Sequence, residues 1–271
     1  MKTYPAPSLA EWLADRPFTL AMSSGFFGFF AHFGVVKALA ENGIHPARFT
    51  GSSAGALVGA SVAAGCSLSA LESRLLSLKK DDFWDPSPGL GLLAGNHFRD
   101  MLGQLLPVTE LANSSRPVAV SAWHGRHRRT RVLRSGNAVE AIYASCAVPG
   151  LFQPARIDGQ RYWDGGIADR HGLAGTWPGE RVLYHHLQSR SPWRSRQSQA
   201  LVPPQRPNLV TLTIDALPRS GPNKLAQGYL ALEHAYDATQ RALSQPITVG
   251  RVHVFANDME KPGCPQSEQP G

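Results

Sequence analysis

The chain reads as an α/β protein, and its opening stretch predicts this. Residues 18–22 (FTLAM) form a short apolar strand that runs into the glycine-containing loop SSGFFG, and residues 31–41 then read as a helix closed by Asn42-Gly43. Residues 47–50 form a second strand that meets GSSAGALVGASVAAG, small-residue-rich and helical in pattern. Strand, loop, helix, strand, turn, helix is the way a doubly wound α/β sheet begins.

The later elements follow from periodicity and punctuation. Leucine at helical spacing predicts an amphipathic helix over 68–80, and residues 97–106 predict another. Between them, 85–95 is Pro/Gly-rich and reads as loop. Residues 117–123 and 129–134 pair as strands about an HGRH turn, and 137–145 is helical. Late strands are expected over 181–187, 208–214 and 249–255, with a helix over 225–243. The segment SRSPWRSRQSQALVPPQR reads as mobile and 257–271 as a disordered tail, leaving a single domain over 1–256.

Composition narrows the function. With 271 residues, 42% hydrophobic and 17% charged, the chain has ordinary globular composition. Its net charge of +7 favours an anionic partner without choosing between headgroups, nucleic acid and acidic protein. Cys66, Cys146 and Cys264 are an odd number without metal-ligand spacing, which suits a reducing compartment. The first residues lack the apolar stretch of a signal peptide, and no uncharged run approaches the roughly 18 residues of a membrane span. A cytoplasmic protein with peripheral membrane contact is the expectation.

Gly51-Ser52-Ser53-Ala54-Gly55 is the sharpest local signal. It is a G-x-S-x-G pattern between a strand and a helix, where a nucleophile on a strained turn needs flanking glycines so that neighbouring backbone can pass. The helix that starts there points amides and the positive end of its dipole at developing negative charge. The loop Ser23-Ser24-Gly25-Phe26-Phe27-Gly28 can aim further N–H groups at the same point. Gly25, Phe26 and Ala54 are therefore the candidate oxyanion donors, and Phe26, Phe27, Phe29 and Phe30 either line an acyl pocket or belong to the core.

The base has two candidates. Ten histidines keep a serine triad open, with His253 on a late strand, although the serine comes early for that fold. Asp164, in Tyr162-Trp163-Asp164-Gly165-Gly166, is preferred: it ends a strand, and no side chain follows to block close approach. Partial burial beside Trp163 would raise its pKa and improve it as a base.

Taken together these segments resemble the patatin-like phospholipases. GFFGFFAHFGVVKAL is similar to that family's glycine loop and helix, GSSAGAL to its serine elbow, and SCAVPGLFQPARIDGQRYWDGG, from Ser145 to Gly166, to its approach to the aspartate. The resemblance covers about residues 18–170. It implies a three-layer α/β/α sandwich with a mostly parallel sheet, Ser53 as nucleophile and Asp164 as its direct base. Gly51, Gly55, Gly28, Gly165 and Gly166 are motif support. It further implies acyl-ester hydrolysis of a lipid or phospholipid with no metal and no other cofactor. Two departures stand out: the loop has phenylalanines where the family carries an arginine, and Ile167-Ala168-Asp169-Arg170 replaces an asparagine–proline ending. A catalytically silent lipid-binding or scaffolding protein on the same fold is the alternative. The basic RHRRTR segment at 126–131 and the arginines around Trp193 suggest docking on anionic membrane, and no nucleic-acid module is recognisable.

Overall fold

The computed structural model describes residues 6–188 and 197–257. Its helices are α1 (Leu9–Asp15), α2 (Phe29–Glu41), α3 (Ala54–Ala64), α4 (Leu68–Leu76), α5 (Asn96–Leu105), α6 (Ala138–Cys146) and α7 (Leu225–Leu243). Its strands are β1 (Thr19–Met22), β2 (Arg48–Ser52), β3 (Gly91–Leu93), β4 (Val118–His124), β5 (Arg129–Leu133), β6 (Gly150–Phe152), β7 (Ala155–Ile157), β8 (Gln160–Asp164), β9 (Val182–His186), β10 (Leu209–Asp215) and β11 (Arg251–Phe255).

The main sheet runs β11-β10-β9-β1-β2-β4-β8-β7, with β5 on the other edge of β4. From β11 to β4 every pairing is parallel, and β5, β7 and β8 join antiparallel. The α/β class, the mostly parallel sheet and the flanking helices are as expected. Central strands buried on both faces should be apolar throughout, and β1 is buried at all four positions. Leu20 and Met22 join the large core with Phe30, Phe33 and Leu232. Alternation sends Ala21 to the opposite face, into a smaller cluster with Val182, Tyr184, Leu209 and Leu173. Each large apolar side chain removed from water contributes about 1.5–3 kcal/mol.

Two local expectations need correction, and one element was not anticipated. The helix expected over 68–80 stops at Leu76, because Lys79 to Asp82 form a separate 3-10 turn in which Asp82 caps the Lys79 amide. The Pro/Gly stretch at 85–95 contains β3, which pairs in parallel with β6. The N-terminal segment carries α1, started by a capping box in which the Ser8 side chain accepts from the Glu11 amide and Glu11 accepts from the Ser8 amide. The expected tail and the Trp193 arginines fall largely outside the described residues.

Candidate active site

Ser53 sits on the turn between β2 and α3 with φ 52° and ψ −119°, a conformation that costs a non-glycine residue about 1–3 kcal/mol. The surroundings hold it there. The Ser53 amide donates to Ser145 Oγ at 2.8 Å, and that hydroxyl donates to the Ser121 carbonyl at 2.6 Å. Gly55 lets α3 lie directly on β1: a Cβ there would stand 2.2 Å from the Met22 carbonyl oxygen. Gly51 packs against the backbone of Gly55 in the same turn.

Strand β4 measures the separation between the serine and the aspartate. Its first half pairs with β2, ending at Ser52 opposite Ser121, and its second half pairs with β8, with Asp164 opposite Ala122. The two strand ends thus occupy consecutive steps along one ruler. Ser53 Oγ donates to Asp164 Oδ2 at 2.6 Å, while Oδ1 accepts from the Gly166 amide at 2.7 Å. Asp164 is 8% exposed. Burial pushes its carboxyl up to about 6, against the opposing pull of the Ser53 and Gly166 hydrogen bonds. Trp163 is not the cause expected from the sequence. Strand alternation turns it to the opposite face, across from Trp123, and Asp164 faces α6, with its amide on the Ala147 carbonyl.

The loop after β1 brings Gly25 and Phe26 to the same end of the sheet. The Gly28 amide closes the loop on the Gly25 carbonyl at 2.8 Å and Gly28 caps α2, while the Gly25, Phe26 and Ala54 amides donate no hydrogen bond among the described residues. Residues to which the sequence assigned no role anchor this loop. Arg170 donates through Nη1 to the Ser24 carbonyl at 2.9 Å and through Nη2 to the Leu187 carbonyl at 2.8 Å. It comes from the stretch where the chain departs from the family ending. Asp169, beside it, accepts from Ser121 Oγ at 2.6 Å.

His32 and His185 complete the anchorage. His32 Nε2 must donate to the Ser23 carbonyl (2.7 Å), because that oxygen can only accept. In the neutral ring Nδ1 is then bare and accepts from His185 Nδ1 at 2.8 Å. His185 Nε2 is left buried without a hydrogen-bond partner. Burial lowers His32 to about 4 and His185 well below its ordinary value, and burial with nearby Arg170 lowers His186 to about 3. These folded-state values lie below the unfolded one near 6.5, so the stability they contribute is complete above pH 6.5. It is lost as the pH falls toward 4 and the unfolded chain alone takes up protons. Asp164 acts oppositely over part of this window. Thermal midpoints of Asp164→Asn, which lacks that opposing group, are expected to fall steeply between pH 6.5 and 4.5; a flat profile refutes the neutral pair.

A cavity opens beside Ser53, lined almost wholly by apolar side chains that include Phe26, Phe27, Phe29, Leu57, Leu71, Trp84, Phe98 and Met101. Phe30 instead lies fully in the core. Cys146 also borders the cavity, and burial together with the Asp164 charge pushes its thiol well up, so it stays protonated. His253 lies on β11, four strand spacings from β2 or about 19 Å, and contacts Asp215 at 2.5 Å. The structure does not bring it to Ser53. Among the described residues no group of three or more His, Cys, Asp or Glu is placed to hold a metal ion, and no helix is long and apolar enough to cross a membrane.

The sheet is mostly parallel, the serine elbow lies at the carboxyl end of β2, and an apolar cavity opens beside it. The patatin-like phospholipase profile matches residues 20–177, more than half of the chain, and the chain belongs to that family. It is 31% identical over 158 residues to uncharacterized NTE family proteins of Mycobacterium bovis and Mycobacterium tuberculosis, covering 55% of this chain and 42% of each relative. The chain thus spans less than half the length of those curated relatives. Among solved structures it is similar in fold to VipD from Legionella pneumophila, with a TM-score of 0.53 and 14% identity over 78% of this chain and 52% of that one.

Proposed function

We propose that the chain is a serine acyl-ester hydrolase acting on a lipid as a peripheral visitor to membranes, with Ser53 as nucleophile and Asp164 as its base. The observation that carries this is the 2.6 Å hydrogen bond to the buried Asp164 carboxylate from Ser53 Oγ, a serine that itself lines an apolar cavity. Asp164 Oδ2 takes the hydroxyl proton as Oγ attacks the ester carbonyl, and the negative oxygen is received by the amides of Gly25, Phe26 and Ala54. The tetrahedral adduct collapses, the leaving alkoxide takes the proton from Asp164, and the acyl group stays on Ser53. Water, deprotonated by the same carboxylate, then attacks the acyl-enzyme; the second adduct breaks its bond to Ser53 Oγ, which takes the proton back from Asp164 as the acid is released.

Two features of the rate follow. The base must be ionised, so hydrolysis of a soluble ester is expected to rise with pH through about 6, the value to which burial pushes Asp164. An acyl chain entering the cavity leaves water at about 0.8 kcal/mol per methylene, so kcat/KM is expected to rise up to about fourfold per added CH₂ until the cavity is filled. A series of p-nitrophenyl esters across pH 4.5 to 8.5 measures both. A folded protein with no turnover at any length would favour the silent lipid-binding alternative, and a rate centred near pH 4 would remove the buried carboxylate as base.

A further inference from the structure

The cavity is roofed by a segment whose outward face is greasy. Leu93 of β3 lines the cavity, while Leu90 and Leu92 on the same segment are 54% and 50% exposed. Phe26 and Trp84 line the cavity and are also 40% and 38% exposed at its rim. Gln153 staples this roof, accepting from the Leu90 amide at 2.9 Å and donating to the Gly91 carbonyl at 2.8 Å.

Positive charge begins three residues further on. Arg156 and Arg161 stand directly opposite each other across β7 and β8, an arrangement of like charges that opposes pairing. The Arg161 carbonyl accepts from the Gly125 amide at 2.9 Å, which leads into exposed Arg126, Arg128 and Arg129. None of these five has an acidic partner among the described residues. Strand direction puts them all at the end of the sheet that carries Ser53. Strand β4 continues three residues past Ser121, the partner of Ser52, before turning at Gly125, and β7 climbs to that same end before β8 returns to Asp164.

We propose that the roof leucines and the arginine hairpins form one docking face for an anionic lipid bilayer. Docking there seats the cavity rim on the membrane, so that an acyl chain passes from bilayer to cavity without crossing water. The arginines supply attraction to anionic headgroups, and the leucines enter the interface. A nucleic acid would use the arginines but has no use for exposed Leu90 and Leu92. The inference deepens the acyl-hydrolase reading and rests on it for its purpose.

The test is cosedimentation of the full chain with phosphatidylcholine vesicles, with and without phosphatidylglycerol, beside hydrolysis of a soluble short-chain ester. The variants are Arg126→Gln/Arg156→Gln/Arg161→Gln and Leu90→Gln/Leu92→Gln. The wild type is expected to bind anionic vesicles, weakening with salt. The arginine triple should lose about fivefold per charge, roughly a hundredfold in all, and the leucine pair at least about tenfold. Neither variant should change the rate on the soluble ester. Equal binding to neutral and anionic vesicles, or a leucine pair that binds as well as wild type, overturns the docking face, the latter in favour of a soluble polyanion. Salt-sensitive vesicle binding by a wild type that cleaves no ester would keep the docking face and sink the hydrolase reading.

Discussion

Ser53→Ala is expected to abolish covalent reaction with a fluorophosphonate probe, and Asp164→Asn to slow it by about 10²- to 10⁴-fold, the range for loss of a positioned general base. The two variants should differ in stability. Asp164 has a folded pKa of about 6 against an ordinary value of 3.8. A carboxyl raised in this way favours the folded state fully below 3.8, and that contribution disappears as the pH rises through 6, because burial penalises the ion. At pH 8 the native protein therefore carries a penalty of up to about 3 kcal/mol, at 1.36 kcal/mol per pKa unit. The amide that replaces the carboxylate is neutral and can still accept from the Gly166 amide, so Asp164→Asn should melt higher than wild type at pH 8 and converge with it below pH 4. Ser53→Ala should show no such gain. An inactive Asp164→Asn that also melts lower at pH 8 would mean that the carboxylate holds the fold together instead of serving chemistry.

How far apart in the chain a feature's determinants lie decides which parts of the candidate site the sequence exposes. The serine turn is legible because its requirements are local: a strand, a sharp turn and a helix within a few residues, with glycines where backbones cross. Asp164 is legible for a similar reason, since Gly165 and Gly166 follow it directly. The cause of its raised pKa is not, because burial depends on which face of β8 meets α6, and the adjacent Trp163 turns out to face away. Short elements fail differently. At three residues β3 has no measurable period, and it is held by its neighbours, β6 on one side and residues 85–87 on the other. In contrast, α1 had a readable signal in Ser8 and Glu11, whose S-x-x-E spacing is that of a capping box.

The anchors of the glycine loop were beyond reach from sequence. Arg170 meets the Ser24 carbonyl across 146 residues, and His32 meets His185 across 153. A single histidine on a helix or an arginine after a turn carries no pattern until the sheet order puts β9 beside β1. That order also decides the histidine question. With β10 and β9 interposed between β11 and β1, His253 cannot serve Ser53. The Phe26-Phe27 loop lacks the family's arginine, and Arg170 reaches the same loop from the segment that follows β8.

Gly165→Ala is the substitution expected to damage the site most without touching a reacting atom. A Cβ there would stand 2.1 Å from the Ser121 carbonyl oxygen and 2.6 Å from Ser52 Oγ. The first is backbone of the strand that sets the serine–aspartate spacing, so nothing flexible can yield. Relief requires β8 to withdraw from β4, which pulls Asp164 off Ser53. Overpacking of this kind destabilises by about 1–3 kcal/mol, and a displacement near 1 Å at a reacting pair lowers the rate by about a hundredfold. Gly166→Ala is the comparison, because its Cβ would meet only side-chain atoms, the Ser24 hydroxyl at 2.6 Å, Ser24 Cβ at 2.8 Å and Asp164 Oδ1 at 2.9 Å, and it should lose less stability. Probe labelling and thermal unfolding of the two variants measure the difference. If Gly165→Ala labels as fast as wild type, the spacing is not set by β4, and the hydrogen bond between Ser53 and Asp164 must be able to re-form from a shifted strand.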